Sequence, residues 1–327
     1  MTAERQAGPR IAFFGSGPFA VPILDALASV PGAAISTVVT VPDRPAGRSG
    51  RLTAPPVAER ARELDLMVLQ PRRLADLEVL EAVGALNLDA AVLADYGRLV
   101  PPALLALPRR GFLNVHPSAL PRHRGATPIQ ATIAAGDPEA AVTLFEMDAT
   151  LDTGPIVAQE AWRLSGRETA PELEVDAAAR GAALLQRELE PWLAGRRPSR
   201  PQSTAGASLT RPLAREDGRL DPTEAAVVLE RRVRALLPWP GTFIETGPER
   251  LLVIRAAVAP AQPGDRPGRL VADDGGLALA TVDGRLRLLE VRPAGGRSMS
   301  GDDLRRGRPG LAGSAVAGRP ELAVAPR

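Results

Sequence analysis

Both histidines of the chain, His116 and His123, fall in one stretch, LNVHPSALPRHRGATPIQ (113–130), with Asn114 two places before the first. Side chains alternate between the two faces of a strand, so GFLNVH (111–116) places Phe112, Asn114 and His116 on one side and Leu113 and Val115 on the other. An amide donor and an imidazole then point into the same space. A carboxylate, Asp152, sits in DATLDTG (148–154), a tight connection between two later strand candidates that can close over the carboxyl end of a sheet, where open α/β folds bind ligands. Amide, imidazole and carboxylate suit acyl transfer to an amine: Asn114 donates to a developing oxyanion, His116 stabilises or protonates it, and Asp152 orients the histidine and helps remove the amine proton. With no activated Ser or Cys beside them, direct attack by the substrate amine is favoured over an acyl-enzyme. Each residue also has a structural reading, His116 as a satisfied strand-end residue, Asn114 as a turn cap and Asp152 as a turn residue. His123, between Arg122 and Arg124, reads as a loop surface group rather than a catalyst.

The elements that must hold these groups follow from periodicity. RIAFF (10–14), AISTVVTV (34–41), LMVLQ (66–70), LDAAVLA (88–94) and GFLNVH read as strands, separated by helical stretches at 55–64 and 73–83 and by FAVPILDALASV (19–30), which Pro22 breaks early. Strands alternating with helices give a Rossmann-like, doubly wound, mostly parallel sheet. AVTLFEM and PIVAQEAW follow each other with no room for a crossover helix, so that end of the sheet is antiparallel. PDRPAGRSGRL (42–52) is a long loop bearing Arg44, Arg48 and Arg51. The chain then divides into a catalytic domain at 1–194, a Pro/Ser/Arg/Gly-rich linker at 195–208, a smaller β-barrel of OB-like type at 209–310 and a tail at 311–327.

Composition narrows the class. There is no cysteine, hence no disulfide framework or thiolate metal site, and two histidines disfavour a His-rich metal site. The first nine residues lack the apolar core of a secretory signal, and prolines and Asp25 interrupt the apolar stretch after Ile11, so the expected location is cytoplasmic, away from any membrane. All 40 basic side chains are arginine, and the pI of about 10.1 reflects that absence of lysine more than the net charge of +2. The charge is uneven: residues 1–200 carry 21 Arg against 23 acids, and residues 201–327 carry 19 against 15, as suits an RNA-facing C-terminal domain or a merely solvated one. The turn Gly15-Ser16-Gly17-Pro18-Phe19-Ala20 fits the loose dinucleotide pattern and offers an NAD-dependent oxidoreductase as the alternative of another class; a non-catalytic RNA-binding protein is a third.

Taken together, GFLNVHPSALPRHRGATPIQATIAAGD and EMDATLDTGPIVAQ closely resemble the folate-dependent formyltransferases. With IAFFGSGPFA, VPDRPAGR, DYGRLVP, LLPWPGTF and VRPAGGRSMS, the resemblance covers nearly all of residues 10–308 and is to the members that act on methionyl-tRNA. Members acting on glycinamide ribonucleotide are shorter and lack the C-terminal domain; together with amino-sugar enzymes they are the alternative within the family. The resemblance implies that Asn114, His116 and Asp152 are catalytic, and that Ser118, Leu120, Pro121, Arg124, Gly125, Pro128, Ile129 and Gln130 lie beside 10-formyltetrahydrofolate as co-substrate. It further implies that Arg44, Arg48 and Arg51 reach the acceptor end of initiator methionyl-tRNA, that the basic C-terminal domain holds this tRNA through phosphates, and that neither a metal nor an obligate protein partner is needed. The sequence departs from the family pattern at His123, which replaces an aromatic residue, at Thr127, at Pro117 after the catalytic histidine, and at Asp95 before Tyr96-Gly97.

Overall fold

The computed structural model describes residues 8–46, 50–274 and 276–318. The chain forms two compact units: one runs to Pro128 and takes in Glu139–Arg163 and Leu173–Arg211, the other takes in Ile129–Pro138, Leu164–Glu172 and the chain from Pro212. In order come β1 (Arg10–Gly15), α1 (Ala20–Ala28), β2 (Ala34–Val39), β3 (Arg44–Ala46), β4 (Arg51–Thr53), α2 (Pro56–Glu63), β5 (Val68–Leu69), α3 (Leu77–Gly84), β6 (Ala90–Ala94), α4 (Pro102–Leu105), β7 (Phe112–His116) and β8 (Arg124–Gly125). After α5 (Pro128–Ala135), largely in the second unit, follow β9 (Glu139–Glu146), β10 (Ile156–Arg163), α6 (Ala170–Leu193) and β11 (Leu209–Thr210).

Seven strands make one sheet in the order β10-β9-β7-β6-β1-β2-β5. The pairs from β7 to β5 are parallel, while β9 runs antiparallel to β7 and β10 antiparallel to β9. This is the doubly wound sheet with an antiparallel end that the helix-free connection requires. Its central strands are buried on both faces, which is why they read as continuous apolar runs. Ile11, Phe13, Val92, Leu113 and Val115 pack with residues of α1, α2 and α6, and the alternate residues Ala12, Phe14, Leu93 and Phe112 pack with residues of α3 and α4.

The structure departs from the sequence reading in four places. Pro22 does not break α1, because it stands in the first turn, where its missing N–H has no intrahelical acceptor to lose. The 42–52 segment is not an open loop: β3 and β4 pair antiparallel, Arg44 opposite Thr53 and Ala46 opposite Arg51. That register puts Arg44 and Arg51 on one face of the ribbon, both exposed, with Pro45 and Leu52 on the other. Arg48 lies outside the described residues. The compositional linker is no free tether, since Arg200 exchanges two backbone hydrogen bonds with Ile156 (2.8 and 2.7 Å) and β11 pairs in parallel with β8. The expected tail is docked over its described part, 311–318: Leu311 and Val316 are buried, Val316 N donates to Gly268 O at 2.8 Å and Ala317 N to Glu245 O at 2.9 Å, while 319–327 lie outside the described residues. Backbone pairing of this kind has no side-chain signature.

In the second unit, α7 (Ala226–Ala235) precedes β12 (Thr242–Thr246), β13 (Glu249–Pro260), β14 (Leu270–Asp273), β15 (Gly276–Ala280), β16 (Gly284–Pro293), β17 (Met299–Ser300) and α8 (Gly301–Gly307). The strands form an antiparallel sheet in the order β12-β13-β16-β15-β14, with β17 added to β16. Register shifts on either side of Arg255 bend the long β13, the device by which antiparallel sheets curl into barrel-like forms. Leu229 and Val233 of α7 and Leu304 of α8 complete a core with Ile244, Leu251, Leu279, Leu286 and Val291.

A buried ionic network joins these strands. Arg285 makes a bidentate pair with Asp265 (2.7 and 2.6 Å) and reaches Asp273 at 3.2 Å, and Arg287 also bonds Asp273. The Asp273 side chain is only 1% exposed and that of Arg285 5%. Removing one partner of such a network strands the other's charge in a poorly hydrated place. Asp273→Ala is therefore expected to lower the stability of the second unit by about 3 kcal/mol, read as a shifted denaturant midpoint. A loss below about 1 kcal/mol, the worth of an exposed pair, would mean that Asp265 alone compensates Arg285.

Candidate active site

Asn114 and His116 project from the same face of β7, Asn114 opposite Phe145 of β9 and His116 opposite Thr143. Both are 6% exposed, and Asp152 is 8% exposed. The ring of Phe145 stands edge-on to His116, with centroids 6.3 Å apart and planes at 83°, so the imidazole is steadied by an apolar neighbour. Phe145 continues into a small apolar floor with Leu120 and Ile156. Among the described residues, the Asn114 side-chain amide has no hydrogen-bond partner, which leaves its donors free for a ligand.

The chain after His116 is pinned from below. Ser118 Oγ donates to Arg122 O at 2.8 Å, Thr143 Oγ1 donates to Ser118 O at 2.6 Å, and Gln159 Nε2 donates to both Leu120 O (3.0 Å) and Thr143 Oγ1 (2.8 Å). Ser118 and Leu120, expected beside the ligand, thus have buried side chains that build the turn. Pro121, Arg124 and Gly125 are part-exposed on the same loop. Pro128, Ile129 and Gln130 open α5, the last two within the second unit.

His123 corrects the surface reading. It is 7% exposed with a left-handed φ of 56°, its amide N donates to Ser208 Oγ at 2.8 Å, and its carbonyl oxygen lies 3.1 Å from His116 Nε2. The segment that covers it arrives 85 residues later in the chain, beyond the reach of any local pattern. A carbonyl oxygen only accepts, so this contact assigns the proton to Nε2 of His116 and turns Nδ1 toward Asp152, whose Oδ2 is 3.8 Å away. Both ring nitrogens of His116 thus face oxygens.

Asp152 adopts a left-handed φ of 53° in the turn between β9 and β10. The turn is closed by Asp148, whose Oδ1 accepts from Thr150 N (2.9 Å), Thr150 Oγ1 (2.7 Å) and Thr153 Oγ1 (2.9 Å). Burial pushes the Asp148 carboxyl up, but the Thr150 and Thr153 hydrogen bonds outweigh it and hold the group below the usual carboxylate range. Gly154 follows because a Cβ there would meet Glu146 O at 1.7 Å. Asp152 Oδ2 in turn accepts from Gly125 N at 2.7 Å; Gly125 has φ 103°, and a Cβ on it would strike Thr210 O at 2.3 Å. Gln202, Ser208 and Thr210 thus contribute to the site without having been singled out by residue type or spacing.

The glycine turn is not arranged as a dinucleotide cradle. Ser16 N and Gly17 N, the donors that would face a pyrophosphate, bond to Asp95 O at 3.0 and 3.3 Å. Burial against this turn pushes the Asp95 carboxyl up to about 7, and Glu174 pushes it the same way, while the residue's outer edge stays exposed. Among the described residues no three His, Asp or Glu side chains gather as a metal site, and no helix is long and apolar enough to cross a membrane.

A doubly wound sheet presenting amide, imidazole and carboxylate at one strand end, joined to a curled antiparallel unit, defines a two-domain group-transfer enzyme. The chain belongs to the formyl transferase family: it matches the formyl transferase domain over residues 9–189 and the formyl transferase C-terminal domain over residues 212–309. Its relatives include the methionyl-tRNA formyltransferase of Halorhodospira halophila, 44% identical over 91% of this chain and 96% of that protein. The enzyme of the same name from Chloroflexus aurantiacus is 42% identical over 89% and 94%. Among solved structures, an N-formyltransferase from Helicobacter canadensis, in complex with folinic acid and dTDP-3-aminofucose, shares the fold with a TM-score of 0.63 at 15% identity, covering 84% of this chain and 97% of that one.

Proposed function

We propose that this chain transfers the formyl group of 10-formyltetrahydrofolate to the α-amine of initiator methionyl-tRNA. The observation that supports the reading is that Asn114 and His116 share one face of β7, that no described residue hydrogen-bonds the Asn114 amide, and that His116 lies 3.1 Å from His123 O and 3.8 Å from Asp152 Oδ2. Two kinds of comparison support it: the relatives above carry the methionyl-tRNA name across both domains, and structures of this fold have been solved with folate compounds, including HypX from Aquifex aeolicus with tetrahydrofolic acid (TM-score 0.56, 17% identity, 91% of this chain and 47% of that one). A folate-derived co-substrate fits a site whose groups answer to a formyl carbonyl and an amine.

In the proposed mechanism the neutral α-amine attacks the formyl carbon, the new C–N bond forms, and the carbonyl electron pair moves onto oxygen. Asn114 donates to that oxyanion and a protonated His116 balances its charge. Asp152 keeps the imidazole oriented and takes up the ammonium proton through water. The oxyanion then re-forms the carbonyl as the C–N10 bond breaks, and the proton taken from the amine is passed through water to N10, which leaves Asp152 ionised again. Arg124 and Gly125 flank the folate on this reading, with Pro121 and Pro128, and no metal takes part. Arg44 and Arg51, on one face of their ribbon, offer cations for phosphates at the acceptor end, a role the sequence also gives to Arg48.

The test is formylation itself. The protein is mixed with 10-formyltetrahydrofolate and, separately, initiator methionyl-tRNA, elongator methionyl-tRNA, glycinamide ribonucleotide and a UDP-amino sugar. Turnover with initiator methionyl-tRNA well above the rest is expected. Preferential formylation of the ribonucleotide or the sugar would replace this substrate assignment, and nicotinamide fluorescence enhancement on mixing with NADH would revive the oxidoreductase reading.

A further inference from the structure

Gln202 stands in the stretch whose composition reads as a linker, yet every hydrogen-bonding position of its side chain is occupied. Its Nε2 donates to Asp152 O at 2.9 Å and to Gly154 O at 2.8 Å, and its Oε1 accepts from Arg124 Nε at 3.1 Å and Arg124 Nη2 at 2.7 Å. A primary amide has two donors and two acceptor lone pairs, and all four are used. The two ends cannot be exchanged, because a flipped amide would set its oxygen against two carbonyls and its NH₂ against a guanidinium. One side chain therefore joins the two loops of the site, the Asp152 turn and the 123–125 strand.

The backbone around it reinforces this link. Thr210 Oγ1 donates to Arg124 O at 2.9 Å and accepts from Thr127 N at 3.0 Å, while β11 lies alongside β8. The Arg124–Gly125 strand is thus gripped by residues 202 and 209–210 together. The Asp152 turn, by contrast, is held by its own Asp148 contacts, by the Gly125 N–H on the Asp152 carboxylate, by the Glu146–Pro155 backbone bond and by Gln202. Gln202 bonds both of the carbonyls that flank Thr153.

We infer that Gln202 is a positioning residue for formyl transfer: it fixes the left-handed Asp152 backbone relative to Arg124 and so sets the carboxylate at its place against His116. This rests on the proposed role of Asp152. A misplacement of about 1 Å from outside the reacting groups is enough to cost on the order of 10²-fold in rate.

The experiment compares full-length parent, Gln202→Glu, Gln202→Ala and, as a control from the exposed neighbouring turn, Ser203→Ala, with initial rates over the concentrations of formyl donor and of methionyl-tRNA. Gln202→Glu keeps both acceptors for Arg124 but loses both donors and sets a negative charge against two carbonyls. It is expected to lower kcat about 10–100-fold, with KM for the formyl donor within about threefold of the parent. Gln202→Ala also releases Arg124, and is expected to lower kcat and raise that KM. Below the pKa of the introduced carboxyl, the ratio of Gln202→Glu to parent activity is expected to rise, because the protonated group regains one donor. Ser203→Ala is expected to behave as the parent.

An unchanged kcat in Gln202→Glu overturns the inference, as does a loss of activity in both Gln202 variants that merely follows the folded fraction with no kcat-against-KM split. If Gln202→Glu does not fold, the Gln202→Ala kinetics decide alone, unchanged kcat again overturning the assignment. A parent protein that formylates no methionyl-tRNA would count against the proposed function, and is separate from a parent that does so and tolerates every Gln202 change.

Discussion

Asn114→Ala is expected to lower kcat for formyl transfer by about 10²–10³, the usual cost of deleting one oxyanion donor. The magnitude follows from where the amide stands. It is 6% exposed and no described residue bonds it, so little in the ground state depends on it. On the proposed mechanism the interaction it supplies arises when the formyl oxygen becomes an oxyanion, and a contact made only in the transition state lowers kcat and kcat/KM together. KM for methionyl-tRNA and the folate dissociation constant should accordingly stay near parent values. A kcat within about threefold of the parent would remove Asn114 from the chemistry and leave it a strand residue beside Phe145.

Asp152→Asn is expected to cost about 10²–10⁴ in kcat, the range for groups that handle protons in the transition state. The substituted side chain can still accept the Gly125 N–H, so the turn should keep its shape and folate binding should persist. The carboxylate charge 3.8 Å from His116 Nδ1 is lost, and with it, on the proposed mechanism, the group that orients the ring and accepts the amine proton. The decisive comparison is single-turnover formylation against equilibrium folate binding. Near-normal turnover would make the carboxylate a turn residue held by Gly125. Turnover and folate binding lost in proportion would mean that the substitution had collapsed the loop.

The parts of the site legible in the sequence are those set by local rules. Alternation along one strand put Asn114 and His116 on a common face, and the short β9–β10 connection brought Asp152 back to the same edge of the sheet. Apolar runs identified the central strands because both of their faces are buried. What local pattern missed is held by backbone pairing or by contacts distant in sequence. His123 is buried because Ser208 covers its amide, and Gln202 meets carbonyl oxygens that every residue possesses. The three-residue strands of the arginine ribbon are too short to show a period, and the docking of Val316 and Ala317 rests on main-chain atoms.

The pairing of β11 with β8 bears on modularity. The two stretches that match the family end at residue 189 and begin at residue 212, which invites treating the residues between them as an exchangeable spacer. In this protein the interval holds Gln202, Ser208 and Thr210, and the first unit extends to Arg211. A chimera joined at the end of α6 would import foreign partners for Arg124, Asp152 and His123, whereas a junction just past Arg211 exchanges only the part of the second unit that begins at Pro212 and keeps Gln202, Ser208 and Thr210 with the residues they bond. The first unit runs past the stretch that matches the formyl transferase domain, so the seam for recombination lies on the far side of the segment whose composition reads as a linker.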